Sequence, residues 1–506
     1  MPDPLECSSS NLPENAATEG DNIGRDGLTK AMADLKLDSS IRPKDTVVMH
    51  PYRLRIDYSG MQGLTTLTGT PKLPAQTCQA EYDPIPSEQG GGTGIGGYPG
   101  FMFGRTYHGG STPTFPARIT FVECITAPDA VKRTLLLGLD VSQGKHLVGG
   151  KWLAGDSFGI CAPNRDEMVT AVLGRILGSE YPSLARRPMR LRPTSEGVQL
   201  PGHLTQLVGA TTTLFELYKW VVDLTSSGGI NKQVVRYLAE KCCDKPDRDR
   251  LLYICSRQGL KAWTSLRAQR PRLLDILGEF LSCAPDPVFL AELLTPLSPR
   301  AYSIAATPVA DGPERWTFAF NVVESQFEVG DSFSRNEDEE GRIGETVDPQ
   351  EADRHQGLCT TWLDALTDRV QAGSRRDDLD AVIPVYLRSR LNDFTLPLLR
   401  EQRRPVIMVG PGTGVTPFIG FLSQRERERD AVGGADEYPE TILFFGCRHR
   451  DRDFLFKTEL EAWASAGVLT TLNVSFSRDE TGQGGGEGAH TKYVQDEIKR
   501  QGARIS

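Results

Sequence analysis

The sequence predicts a multidomain protein in which strand-rich and helical segments lead into a parallel α/β domain. Three observations carry that reading. Strands alternate with helices from residue 405 onward, short strands separated by turns occupy residues 117–162 and resume at 300, and a helical period fills much of the interval between.

In chain order, residues 1–115 read as a low-complexity, largely disordered region. Polar Ser, Asn, Glu and Asp dominate the first forty, and GGGTGIGGYPG supplies no side chains for a core. Only Arg53 to Tyr58 has the texture of a strand. From Pro116 the chain changes. Ala117 to Ile125, Thr134 to Val141 and Trp152 to Ala162, the last with a Gly155-Asp156 turn, read as strands of an antiparallel sheet or barrel. Between Asp166 and Leu294 apolar residues recur three or four apart, in Thr213–Leu224, Lys232–Cys242, Arg248–Gln258 and Leu274–Leu281. Trp220 and Trp263 belong to that helical core. Strand texture returns at Arg300 to Ala305 and Trp316 to Val323. The polar insertion Ser332 to Gln350 carries the acidic run Glu337 to Glu340 and reads as a solvated loop. Gly357 to Leu363, GLCTTWL, places a glycine and hydroxyls at the opening of a helix, a setting that suits phosphate.

The C-terminal part is organised around PVIMVGPGTGVTPFIGFL, residues 405–422. Val406 to Val409 read as a buried strand; Gly410, Gly412 and Gly414 allow a sharp turn, and the following helix aims its positive end at the turn. The turn lacks the Lys-Ser/Thr of a P-loop, and Val415 stands where GxGxxG has its third glycine. Thr441 to Cys447 and Val468 to Phe476 are further strands, with a helix at Asp453 to Ala464 between them. Ligands of such a sheet sit at the carboxyl ends of its strands. There Ser477 and Arg478 pair a hydroxyl with a guanidinium, a clamp for a phosphate monoester.

Composition sets the exclusions. The 506 residues allow two to four domains, and the net charge of −9, without a basic stripe, argues against nucleic acid as the main partner. No run approaches a membrane span and MPDPLECSSS is not a signal peptide, so the chain reads as soluble and cytoplasmic, with no membrane partner. Ten scattered cysteines without CxxC and seven dispersed histidines without HExxH predict reduced thiols and no metal site.

Five segments in one order carry a resemblance: RAYSIA at 300–305, GLCTTWL at 357–363, GPGTGVTPFIGFL at 410–422, GCRHRDRDFLF at 446–456, and FSRD with a later KYVQ within 476–495. Together they resemble the diflavin reductases, a family that includes cytochrome P450 reductase and nitric oxide synthase reductase domains, and the match covers Pro116 to the end. The wording of CRHRDRDFLF, VSFSRD, GDSFGICAPN and RTLLLGLDVS is most similar to the methionine synthase reductases. The resemblance implies an antiparallel FAD-binding β-barrel (116–165 and 295–400), an inserted helical connecting domain (166–294) and a truncated parallel α/β NADPH-binding domain (401–506). It implies transfer of a hydride from NADPH to FAD, with cobalamin-dependent methionine synthase as the partner to be reactivated. The alternatives are a catalytically silent FAD-binding fragment and the reductase half of a P450 reductase-like protein.

Residue by residue, the resemblance implies that Arg300 and Ala301 lie along the FAD, with Arg300 on its phosphate, that Tyr302 stacks on the flavin, and that Ser303 steadies the hydride-accepting atom as the catalytic hydroxyl. Gly357, Leu358, Cys359 and Thr360 match the segment whose amides bind the FAD diphosphate. Thr413 falls near the nicotinamide-side phosphate or ribose, Ser477 and Arg478 on the 2'-phosphate, Tyr493, Val494 and Gln495 on the adenosine side, and Lys132 reaches in from the barrel. Two departures accompany the match. Residues 1–115 do not resemble the family's FMN domain, and the chain stops at Ser506, before the family's Cys-Gly-Asp strand and closing aromatic. Of the three groups that assist hydride transfer, only Ser303 is matched. An unpaired sheet edge is expected for residues 405–506.

Overall fold

The computed structural model describes residues 49–84, 98–148, 152–225, 230–323, 356–371, 382–390, 394–431, 438–479 and 492–502. They fall into two compact units, one from the described parts of 1–91 and 164–297, the other from those of 92–163 and 298–506. In chain order the strands are Cys78–Tyr82 (β1), Phe115–Cys124 (β2), Thr134–Asp140 (β3), Ser157–Ile160 (β4), Met189–Pro193 (β5), Thr211–Thr212 (β6), Arg300–Ser303 (β7), Arg315–Asn321 (β8), Val382–Leu387 (β9), Val406–Pro411 (β10), Thr441–Cys447 (β11) and Thr471–Phe476 (β12).

The first unit is mainly helical: Asp166–Leu177 (α1), Leu214–Trp220 (α2), Lys232–Glu240 (α3), Lys245–Cys255 (α4), Leu260–Ala268 (α5), Leu273–Glu279 (α6) and Pro287–Leu293 (α7). Local chemistry sets the helix starts. Thr213 and Glu216 form a reciprocal cap on α2, the Asn231 side chain accepts the Val234 amide at 2.8 Å, and Asp286 accepts that of Phe289 at 2.7 Å. Pro246 in its first turn starts α4 three residues ahead of the apolar period. The block is not wholly helical, because β1, β5 and β6 form a small antiparallel sheet in the order β1-β5-β6.

That sheet corrects the expectation of a disordered N-terminal region over residues 49–84. The Tyr52 amide bonds the buried Asp275 carboxylate at 2.9 Å, Arg272 bonds the His50 carbonyl at 3.0 Å, and Glu292 receives the amides of Thr77 and Cys78, both at 2.9 Å. A polar composition conceals such a segment because its backbone, rather than an apolar face, makes the attachments.

In the second unit six antiparallel strands run in the order β7-β4-β9-β2-β3-β8. The two end strands approach each other, with the Ala305 amide donating to the Thr317 carbonyl at 2.6 Å and Tyr302 packed on Phe318. This is the curl of a barrel. Trp152, Phe158, Trp316 and Phe318 fill its interior, the Phe158 ring lying 5.0 Å from Trp316 and 5.1 Å from Phe318. Strand β9 escapes sequence reading because Pro384 sits inside it, where proline argues against a central strand. Its register partner on β2 is Pro116, and the Pro384 carbonyl instead faces β4, where it accepts the Cys161 amide at 3.0 Å, so no β2–β9 hydrogen bond calls for either proline's missing donor.

Beyond the barrel, β10, β11 and β12 form a parallel sheet in that order. Thr416–Ala431 (α9) links the first pair and Lys457–Ser465 (α10) the second, after Leu358–Gln371 (α8) on the barrel and before Val494–Arg500 (α11) near the C-terminus. Strand β11 is the buried one. Strand β10, expected to be buried throughout, instead alternates, with Ile407 and Val409 each nearly half exposed, because it is one of the sheet's two edge strands among the described residues. Helix α10 begins at Lys457 rather than Asp453, since the Asp453 carboxylate is turned back to accept the amides of Arg448 at 3.2 Å and His449 at 2.7 Å.

Candidate functional site

The parallel register aligns Pro411 with Gly446 and Gly446 with Ser475, so three strands end along one line. A cleft of about 300 Å³ opens there, between these ends and the β2–β3 side of the barrel. Its walls bring together six of the sequence candidates, Lys132, Thr413, Ser477, Tyr493, Val494 and Gln495. Arg478 does not line it. Its amide donates to the Arg448 carbonyl at 2.9 Å, and the guanidinium that lines the cleft belongs to Arg448. The sequence marks Arg448 only as the distinctive end of a strand, and it assigns no role to Ser475 or Lys492, which also line the cleft.

Arg448 carries the most informative atom of the site. Its Nη1 is buried and has no hydrogen-bond partner among the described residues. A buried guanidinium nitrogen without an acceptor is costly, and an anion bound in the adjoining cleft would supply one. The loop behind it is braced twice, by Asp453 as above and by Asp479, which accepts the Arg450 amide at 3.0 Å and bonds His449 Nδ1 at 2.9 Å. Burial would raise the Asp479 carboxyl, but the Arg450 amide and the His449 ring outweigh it and hold it below its usual 3.8.

The glycine-rich turn forms the floor. Gly412 to Val415 make a 3₁₀ turn, and the Thr416 hydroxyl donates to the Thr413 carbonyl at 2.7 Å. Its three glycines serve different ends. A Cβ on Gly410 would stand 2.8 Å from the Gly414 carbonyl oxygen, Gly412 has a φ of +55°, and a Cβ on Gly414 would touch only Pro411 Cδ at 3.8 Å. On the opposite wall Tyr493 caps α11 from outside the helix and Lys492 lies 5.5 Å from its ring centroid.

A second cavity, of about 260 Å³, lies on the barrel against β7. Ala301, Tyr302 and Ser303 border it, and Ser303 pairs with Ser157 across β4 and β7. Arg388 and Arg390, just past the unrecognised β9, border it too. Arg390 grips the buried Asp156 with two bonds of 2.7 and 2.8 Å, and Asp156 also accepts the Leu153 amide at 2.8 Å, closing the Gly155 turn.

Strand alternation turns Tyr302 to the other side, among Phe158, Phe318 and Phe320. Its hydroxyl donates to Cys359 Sγ at 3.3 Å, which joins β7 to the first turn of α8. Burial, reinforced by Cys359, pushes the Tyr302 phenol up, and burial pushes the Cys359 thiol up to about 11, while the Arg300 guanidinium pulls both down. Arg300, Tyr302 and Cys359 therefore share one neighbourhood. Gly357, Leu358 and Thr360 complete the turn: the Gly357 amide donates to the Val323 carbonyl at 3.2 Å and Thr360 Oγ1 accepts the Val323 amide at 3.2 Å. A Cβ on Gly357 would meet Thr360 Oγ1 at 2.5 Å. Helix, turn and guanidinium make a setting for anionic oxygens.

Comparison with known proteins bears on both cavities. The FAD binding domain family matches residues 110–331, and the oxidoreductase NAD-binding domain family matches residues 408–505. Over 404 residues the chain is 34% identical to methionine synthase reductase of Mus musculus, covering 78% of this chain and 53% of that protein. Methionine synthase reductase of Homo sapiens is 33% identical over 402 residues, covering 78% and 52%. NADPH–cytochrome P450 reductase of Rattus norvegicus is 29% identical over 398 residues, covering 77% and 50%. The chain thus spans about half the length of these relatives. Among the described residues no helix is long and apolar enough to cross a membrane.

Proposed function

We propose that the chain, with its FAD-binding and NAD-binding domains, is a reductase of the diflavin type that passes a hydride from NADPH to FAD, with methionine synthase as the eventual beneficiary. The observation that carries this reading is the orphaned Arg448 Nη1 in a cleft that also gathers Lys132, Lys492, Ser475 and Ser477. Three cations and two hydroxyls around one unsatisfied donor fit a ligand rich in phosphate. On this reading Arg448 and Ser477 take the 2'-phosphate, with Arg478 bracing the strand end behind them. Thr413 and the amides of the Gly412 turn take the diphosphate, and Tyr493, Val494 and Gln495 border the adenosine.

On the barrel, Arg300 and the Gly357–Thr360 turn neutralise the FAD diphosphate, Ser303 borders the flavin, and the Tyr302 ring supports β7 from its opposite face. FAD, when bound, supplies the hydride acceptor that no side chain can provide. Ser303 borders the cavity, where its hydroxyl would hydrogen-bond a reacting ring, and the paired Asp156 and Arg390 fix the turn beside it. The names and the 33–34% identity of the methionine synthase reductases favour methionine synthase over a P450 as partner.

The test is anaerobic mixing of the FAD-reconstituted chain with NADPH or NADH, followed by flavin absorbance. Bleaching by NADPH at far lower concentration than NADH is expected. Arg448→Met and Ser477→Ala should each raise the KM for NADPH by about 10- to 100-fold, the worth of one charge-assisted bond, and leave NADH unchanged. Retained FAD without bleaching would refute the reaction. Equal use of both coenzymes would refute the clamp. Reactivation of methionine synthase, set against reduction of a P450, decides the partner.

A further inference from the structure

The helical unit holds a pair of thiols that the proposed reaction does not use. Cys242, just past α3, and Cys283, between α6 and α7, face each other across an isolated antiparallel bridge. The Cys243 amide bonds the Ser282 carbonyl at 3.2 Å and the Ala284 amide bonds the Lys241 carbonyl at 2.9 Å, so hydrogen bonds bracket the pair on both sides. Such a position brings the two side chains to one face at the shortest cross-strand spacing, within the range that a disulfide spans. The sulfurs are 2.8 Å apart, and both point at the Leu238 carbonyl, at 3.3 and 3.6 Å. Cys242 is half-buried and Cys283 buried.

The surroundings differentiate the two. Hydrogen bonds from Cys283 and Ser282 favour the Cys242 thiolate, against burial and the charges of Asp247 and Asp244, and hold its pKa below the usual 9.0. The bond to Cys242 and burial push Cys283 up, with the Arg175 guanidinium as the opposing influence. Arg175 is itself tied down at the Leu277 and Phe280 carbonyls. A reachable, more acidic thiol beside a buried, less acidic one is the arrangement of an attacking and a resolving cysteine.

We propose that Cys242 and Cys283 form a thiol–disulfide site that a small-molecule disulfide oxidises. The Cys242 thiolate attacks one sulfur of the disulfide, forming a mixed disulfide and releasing the first thiolate. Cys283 then loses its proton and attacks the Cys242 sulfur, forming the Cys242–Cys283 bond and releasing the second. Two electrons pass from the protein to the small disulfide, and two protons end on the released thiols. The bond staples the end of α3 to the segment joining α6 to α7.

The full chain is incubated with 2-hydroxyethyl disulfide, then alkylated and mapped by mass spectrometry. The expected product has lost two hydrogen masses and two alkylatable thiols, with residues 242 and 283 in one cross-linked species. Cys283→Ser should trap the mixed disulfide on Cys242, and Cys242→Ser should leave Cys283 unloaded. If a variant does not fold, the wild-type map decides alone. Linkage of Cys283 to Cys243, persistent mixed disulfide on Cys242 in the wild type, or modification of the exposed Cys124 with Cys242 untouched would each overturn the assignment.

Discussion

Replacing each glycine of the 410–415 turn by alanine separates sterics from backbone conformation. An alanine Cβ at position 410 would stand 2.8 Å from Gly414 O, 2.9 Å from Gly414 C and 2.9 Å from Val415 Cα. All three are backbone atoms, so no side-chain rotation relieves the clash. The turn has to lift off β10 by about 0.6 Å to restore ordinary contact, and overpacking of this kind costs about 1–3 kcal/mol. Position 412 has open space but a φ of +55°, which charges alanine about 1 kcal/mol. Position 414 has neither problem, and alanine there should be neutral or stabilising by a few tenths of a kcal/mol. Hydrogen exchange over residues 406–422 reads these costs locally, at about tenfold in rate per 1.4 kcal/mol. Gly410→Ala should speed exchange by about 5- to 150-fold, Gly412→Ala by about 5-fold, and Gly414→Ala not at all. The KM for NADPH should follow the same order, because the displaced amides line the cleft. A Gly414→Ala effect equal to that of Gly410→Ala would refute the reasoning.

Arg390→Met leaves the Asp156 carboxylate buried without its guanidinium. With Arg390 itself partly exposed, about 2 kcal/mol of local stability should be lost, read as faster FAD release, and Asp156→Asn in the same chain should recover part of it. Tyr302→Phe removes only a bond to sulfur and should change FAD affinity less than fivefold, about 1 kcal/mol. Tyr302→Ala opens the space among Phe158, Phe318 and Phe320 and should cost about 2–3 kcal/mol, both measured by flavin fluorescence. Asp479 is held below 3.8, so its stabilisation of the 448–450 loop is fully present above that pH and is lost as pH falls through the lower, folded value. Asp479→Asn should abolish this acid-side change in exchange of the loop amides. Oxidation of Cys242 and Cys283, 41 residues apart, should stabilise the helical unit by up to about 4 kcal/mol in urea titration, a gain absent from Cys242→Ser.

Much of the architecture was legible because period and length agree. Strand β11 has the predicted bounds Thr441–Cys447, and β3 and α3 begin at the predicted Thr134 and Lys232. What escaped was held by contacts remote in sequence. Strand β9 was hidden by Pro384, whose missing donor faces away from β2, so the β2–β9 pairing survives it. Residues 49–84 were hidden because buried carboxylates far along the chain receive their amides. In the cleft, Ser477 and Tyr493 were legible from their place at strand end and helix start. Arg448 instead of Arg478 was not, since only the register of β11 on β12 decides which arginine faces inward. The thiol pair follows from a bridge that no local pattern announces.

The attachment of residues 49–84 also has a consequence in time. Tyr52 bonds a residue 223 positions later, and Cys78 pairs with Pro193. A ribosome adding about 5–20 residues per second needs roughly 11–45 s to deliver Asp275 after Tyr52 has been made. Strand β1 waits roughly 6–23 s for β5, and through that interval it is a free edge emerging ahead of the barrel strands. The helical unit is the first begun and closes only after β2, β3 and β4 have been made. Slowing translation between residues 84 and 189 should therefore lower the folded yield of this protein more than the same delay placed after residue 297, where the unit's last residues are already in hand.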